Sequence, residues 1–230
     1  MILGFTDISL RWYRELFASR DFVESFVQSL YIALVTTVFA TILGTSAAYA
    51  LGRFRFRGRE AVSTVLLSPL MIPGVAIGLS LNQFLSELGM ARGYTALFIG
   101  HVVITVPYVA RTVGAALVGV DRNLEYAAWD LGASKLRAFA LITLPLLRPG
   151  LVAGALFTFI TSFDELTISL FLSGTRIVPL PVRIFTYLET VVEPTAAAAS
   201  AILVVLSVVT ILLVEKLVGL DRILGADTRR

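Results

Sequence analysis

Across 230 residues, 57% hydrophobic side chains against 15% charged ones leave too little polar surface to solvate a globular domain, which excludes a water-soluble fold. The net charge of +3 comes from basic residues set beside apolar runs, not from a groove with interleaved aromatics, and that pattern excludes nucleic acid as a partner. With no cysteine and a single histidine, His101, the chain offers no thiolate nucleophile and no metal-ligand spacing, so no metal or cofactor is expected.

The apolar runs are about twenty residues long and lack strand-like alternation; because lipid cannot hydrogen-bond a bare backbone, they predict membrane-spanning helices. Ahead of them, residues 1–23 mix Trp12, Tyr13 and Phe17 with Arg11, Arg14 and Arg20, which reads as an external interfacial helix. Met1 to Asp21 lack the basic end and apolar run of a cleavable signal. Five spans follow at about Phe26 to Leu51, Ala61 to Leu85, Tyr94 to Val118, Leu151 to Leu172 and Ala196 to Val218. The fold class is therefore an all-α polytopic membrane bundle, with residues 1–230 forming one transmembrane domain.

Pro69, Pro73 and Gly74 in the second span and Pro107 in the third predict kinks. Small residues, Gly44, Ala47 and Ala48 on the first span and Ala196 to Ala199 on the last, predict close helix approach without chemistry. Between the third and fourth spans lies a polar island, Leu124 to Gly150, in a loop taken as residues 119–150. Asp121 or Asn123 is expected to cap a first short helix and Gly132 to end it. Ser134 then caps a second, with Leu136, Phe139, Ala140 and Ile142 at helical spacing, and Pro145 is expected to stop it. In the link at 174–193, Pro181 followed by Ile184, Tyr187, Leu188 and Val191 predicts an amphipathic helix.

Arg53, Arg55, Arg57, Arg59, Arg122, Lys135, Arg137 and Arg148, with Lys216, Arg222, Arg229 and Arg230 of the tail, fall on one side of the predicted spans. They outnumber Arg11, Arg14, Arg20, Arg92, Arg176 and Arg183 on the other. The positive-inside rule thus predicts a cytoplasmic island and C-terminus and an external N-terminus.

Asp164 and Glu165 stand about midway along the predicted fourth span. A carboxylate at such depth costs on the order of 2.5 to 3.5 kcal/mol, so the pair should face a polar interior, where its charge suits a cationic substrate. Ser162, Thr161, Thr167 and Ser169 would add hydroxyls. A structural role for the pair, bonded to Arg111 or to backbone in a broken helix, stays open. Arg111 itself can instead snorkel to the cytoplasmic face. His101 reads as a hydrogen-bonded packing residue and not a proton relay. No phosphate-binding loop, nucleophile elbow or zinc-protease motif is present, so any energy must come from a partner.

Ala127, Ala128, Gly132, Ile142, Leu144 and Pro145 stand at the offsets of the EAA loop, and on them the chain resembles ABC-importer permease subunits. It departs from the pattern at one place, where Tyr126 occupies the glutamate position and Glu125 comes one residue early. The string SFDELTISLFLSG resembles the corresponding span of spermidine/putrescine-type permeases. The resemblance runs from about Phe5 onward. It implies the type I importer fold, polyamines or related organic cations as substrate, and a multi-pass location in the bacterial cytoplasmic (inner) membrane. The implied partners are an ATP-binding subunit dimer, a sister permease, an extracytoplasmic substrate-binding protein and membrane lipid. Coupling to the ATPase is implied for Glu125, Tyr126, Ala127, Ala128, Asp130, Gly132, Ala133, Ile142, Leu144 and Pro145, and a substrate pathway for Asp164, Glu165 and Ser162.

The family usually has six spans, and its first would lie ahead of the opening segment. Five are therefore expected here, through truncation, a start-site choice or a five-span variant. Rival readings are a permease for another small solute, an intramembrane acid-dependent enzyme and a proton-coupled secondary transporter. The enzyme would want its two carboxylates on facing helices, and the secondary transporter leaves the island without a purpose.

Overall fold

The computed structural model describes residues 11–90, 92–190 and scattered helical positions between 198 and 209. Residues 1–10 of the predicted interfacial segment, most of the predicted span Ala196 to Val218 including all of its small-residue run but Ala198, and the basic tail lie outside them. Every regular element among the described residues is helical. Helix α1 (Arg11–Ala18) meets α2 (Arg20–Arg53) at Ser19, whose extended backbone breaks the two apart. At 34 residues α2 is about 51 Å long, ample for a hydrocarbon core of about 30 Å.

Only α2 and α5 (Tyr94–Val118) are, among the described residues, single helices long and apolar enough to cross a membrane. The predicted second span is broken into α3 (Arg59–Leu67), a 3-10 turn at Ser68–Leu70 and α4 (Gly74–Glu87), with a bend of 107°. Its prolines explain the break. Pro69 opens the 3-10 turn, and Pro73, with ψ 133, turns the chain into α4; neither has an N–H to continue a ladder. Pro107 behaves differently, remaining buried inside an uninterrupted α5.

The island folds as α6 (Asn123–Asp130), α7 (Lys135–Ala138), a π turn at Phe139–Thr143 and α8 (Leu144–Leu146). It leads into α9 (Arg148–Phe163) after a bend of 73°. The predicted fourth span is also interrupted, because α9 ends at Phe163 and α10 (Thr167–Leu172) starts three residues after the break begins. The predicted outer helix is present as α11 (Leu180–Thr190).

Helices α2, α5 and α9 form the centre, and glycines set their spacing. A Cβ on Gly44 would sit 2.6 Å from the Val109 Cβ, one on Gly154 2.5 Å from the Thr112 Oγ1, and one on Gly150 2.7 Å from the Thr112 carbonyl oxygen. Gly150 and Gly154, four residues apart, thus let α9 lie directly on the α5 backbone. Around this contact Ala40, Ala48, Val109, Val113, Leu117 and Leu147 are buried together. A second cluster, with Leu85, Leu97, Ile168 and Leu172, wedges α10 between α4 and α5.

At the end of the bundle opposite the island the Leu180 N–H donates to Ser29 Oγ (2.8 Å) and the Val178 N–H to Gln28 Oε1 (2.8 Å), so α11 is stitched to the start of α2. Leu16, Phe22, Phe163 and Ile184 close an apolar cluster beneath it. One helix, α2, therefore touches α11 at one end and the island at the other.

Candidate functional site

The α6 segment is built by local rules. Asp121 Oδ1 accepts the Asn123 N–H (2.9 Å), taking up one of the amides a helix start leaves open. At the other end Gly132 has φ +85; its N–H donates to the Trp129 carbonyl and the Ala133 N–H to the Ala128 carbonyl, each at 2.9 Å. This paired closure needs a left-handed residue after the helix. Nothing lies within 4 Å of where a Gly132 Cβ would be, so the glycine serves backbone conformation and not packing. Ser134 Oγ then accepts the Arg137 N–H (3.3 Å) and opens α7, as its position predicts.

Pro145 does not stop the second helix. The Leu144 N–H reaches back five residues to the Phe139 carbonyl, and this widened turn changes the register just where a proline ring would strike a preceding carbonyl. Pro145 then opens α8, and the chain bends later, between Leu146 and Arg148.

The outward surface of the island is apolar and aromatic. Leu131 is 90% and Leu136 77% exposed. Tyr126, at the motif's glutamate position, is also exposed; its ring meets Trp129 edge-on at 5.2 Å, and the Arg122 guanidinium lies over the ring at 5.3 Å. Ala127 and Asp130 are exposed, Ala128 and Ala133 half-buried, and Ile142, Leu144 and Pro145 half-buried at the join to the membrane part.

Glu125 points the opposite way. It is 1% exposed, and its carboxylate accepts from Thr143 Oγ1 (2.8 Å), Arg53 Nε (3.1 Å) and the Tyr49 hydroxyl (3.3 Å). Arg53 Nη2 also donates to the Val120 carbonyl at 3.0 Å. Sequence pattern does not reveal this role. Tyr49 and Arg53, four apart on one helical face, are a hint, but their acceptor lies more than seventy residues further on.

The acidic pair sits in the gap between α9 and α10. Glu165 Oε1 accepts the Ile168 N–H (2.8 Å) and so caps α10. Asp164 closes α9, its side chain is exposed, and it makes no hydrogen bond or ion pair among the described residues. Arg111 forms no ion pair with either acid. Across the gap, His101, 1% exposed, places Nδ1 2.7 Å from Ser162 Oγ and Nε2 3.0 Å from Ser169 Oγ. One ring nitrogen donates and the other accepts, pinning the two half-helices to α5. Ser162 is thereby turned inward to the imidazole. Substituting His101 by Leu leaves two buried hydroxyls without partners, at about 1 to 3 kcal/mol each; the thermal midpoint of the purified protein should fall by several degrees, and an unchanged midpoint would refute the clamp.

Residues 24–218 match the family described as the binding-protein-dependent transport system inner membrane component. The spermidine/putrescine transport system permease protein PotC of Haemophilus influenzae is 36% identical over 211 residues, covering 92% of this chain and 82% of that protein. The chain belongs to this permease family. The permease is also 37% identical over 202 residues to the putrescine transport system permease protein PotI of Escherichia coli K12, covering 85% and 72% of the two chains. In structure it resembles a chain of a bacterial ABC transporter involved in the import of the acidic polysaccharide alginate, with a TM-score of 0.75 at 17% identity over 94% and 85% of the two chains. It is a multi-pass subunit of the inner membrane, with the ABC-importer permease fold, and not itself an enzyme. The intramembrane-enzyme and secondary-transporter readings fall with that assignment.

Proposed function

We propose that this permease imports polyamines or closely related organic cations past the gap between α9 and α10, driven by an ATPase dimer that grips the island from the cytoplasm. The names of its relatives favour that substrate class. So does Asp164, an exposed carboxylate without a partner among the described residues, in a break that leaves polar backbone beside it. Glu165, which caps α10, and Ser162, held by His101, shape the gap around it.

One observation carries the coupling half: α6 is a short helix with a rigid glycine closure, exposed along Tyr126, Ala127, Asp130 and Leu131, with Leu136 of α7 beside it. Such a helix transmits displacement without fraying. ATP-driven closure of the motor biases the bundle between inward and outward openings only through contacts that differ between the two states, and this surface supplies them. A sister permease completes the pathway, and a substrate-binding protein delivers solute at the α11 end; the similar bacterial alginate ABC transporter has been solved in complex with an alginate pentasaccharide-bound periplasmic protein. The C-terminus lies in the cytoplasm.

Affinity purification in mild detergent tests the assembly. The ATP-binding subunit should co-purify in stoichiometric amount and the reconstituted complex should accumulate labelled putrescine or spermidine. Recovery without an ATPase overturns the coupling reading; ATP-driven uptake of another solute class alone overturns the substrate.

A further inference from the structure

Among the residues of α6, only Glu125 is buried. The rest of the helix stands off from α2 across an open cleft of 650 Å³ lined by Tyr49, Arg53, Arg122, Trp129 and Phe139. Close apolar packing therefore does not join the island helix to the membrane part. The link is a carboxylate and its donors: Tyr49 and Arg53 from the inner end of α2, and Thr143 from the π turn that leads to α9. Arg53 extends the link to the Val120 carbonyl just beyond α5. Directly and through Arg53, this one buried carboxylate thus ties the end of α2 to the π turn ahead of α8 and to the residue just beyond α5. A buried ion pair of this kind is costly to open, since removing one partner leaves an uncompensated charge away from water. π turns, moreover, are found where helices carry function.

We infer that the Glu125–Arg53 pair is the joint through which displacement of α6 enters the bundle, holding α6 and α2 as one rigid body through the transport cycle. Glu125 and Arg53 are positioning residues; neither needs to touch ATPase or substrate. The inference rests on the docking reading above and says where the force goes next. It also moves the important carboxylate of the loop from the outward motif position, here Tyr126, to an inward neighbour.

The chain has no cysteine, so a pair of spin labels can be placed without background from the permease itself, on introduced cysteines labelled before assembly with the other subunits. Labels at exposed Asn123 on α6 and exposed Leu43 on α2 report the joint directly, by pulsed electron resonance on the full complex in nanodiscs with and without ATP. In the otherwise unmodified permease the distance distribution should stay the same within about 2 Å in both states, though the complex switches. Glu125→Gln keeps the side-chain shape and the Thr143 bond but removes the charge; ATP should then shift or broaden the distribution by several ångströms, with the ATPase still bound. Arg53→Lys, which keeps the charge and so protects folding, should give a smaller shift in the same direction.

A distribution that stays put in Glu125→Gln overturns the joint, as does one that already shifts in the unmodified permease. Failure of that permease to hold its ATPase overturns the docking reading itself. Loss of the ATPase only in Glu125→Gln overturns the joint, since it makes the residue part of the docking surface.

Discussion

Asp164→Asn should raise the polyamine concentration for half-maximal uptake at least tenfold, while Glu165→Gln should leave it within about threefold. The two acids are neighbours in sequence but not in role. Asp164 is exposed and unpaired among the described residues, so its charge is available to a passing cation. At 4 Å and an effective dielectric of about 20, such a pair is worth up to about 4 kcal/mol, and partial exposure reduces that to the tenfold range. Glu165 already spends one oxygen on the Ile168 N–H. Glutamine presents a similar oxygen and keeps the cap, whereas Glu165→Leu should lower the thermal midpoint. Uptake into proteoliposomes reads the first pair of effects. Equal losses in Asn and Gln variants would mean that the pair acts together, and normal uptake in Asp164→Asn would remove it from the pathway.

Gly132→Val should abolish uptake while the protein still inserts and folds. At φ +85 a β-branched side chain costs about 1 to 2 kcal/mol or more, and relief means unwinding the turn, with loss of the two hydrogen bonds that close α6. Because nothing lies within 4 Å of that position, the membrane bundle is spared. The visible consequence should be ATP hydrolysis that no longer drives transport, or an ATPase that no longer binds. Gly132→Asn, which tolerates left-handed backbone, should retain part of the uptake. Full uptake with valine would show that the shape of this turn does not matter to coupling.

Local chemistry explains why much of the island and α11 are readable in the sequence. Ser134, Gly132 and Pro181 act on backbone within a few residues of themselves, so their positions predict α7, the end of α6 and α11 without knowledge of the fold. Pro145 fails by the same standard: a proline near a helix can stop it or, after a one-residue change of register, begin the next turn, and the π turn at Phe139–Thr143 makes it the latter. The broken spans are intermediate. Pro69 and Pro73 announce the second, but nothing in the apolar pattern of the fourth shows that Phe163 ends a helix and that Glu165 starts another.

By itself the sequence determined that this chain is a bundle of membrane helices with its basic residues biased to one side and that Gly132 closes a short helix in a polar island, in a motif that resembles the loop of ABC-importer permeases. These follow from composition, from spacings of under twenty residues and from backbone preferences, all of which are local. Tertiary structure alone decided which side chains meet. It buried Glu125 against Arg53 and Thr143, turned Ser162 and Ser169 to His101, and left Asp164 open while Glu165 took a backbone amide. Those choices depend on where α2, α5 and α9 lie against one another, and the glycines that let them approach say how closely, but not which polar groups are thereby brought face to face.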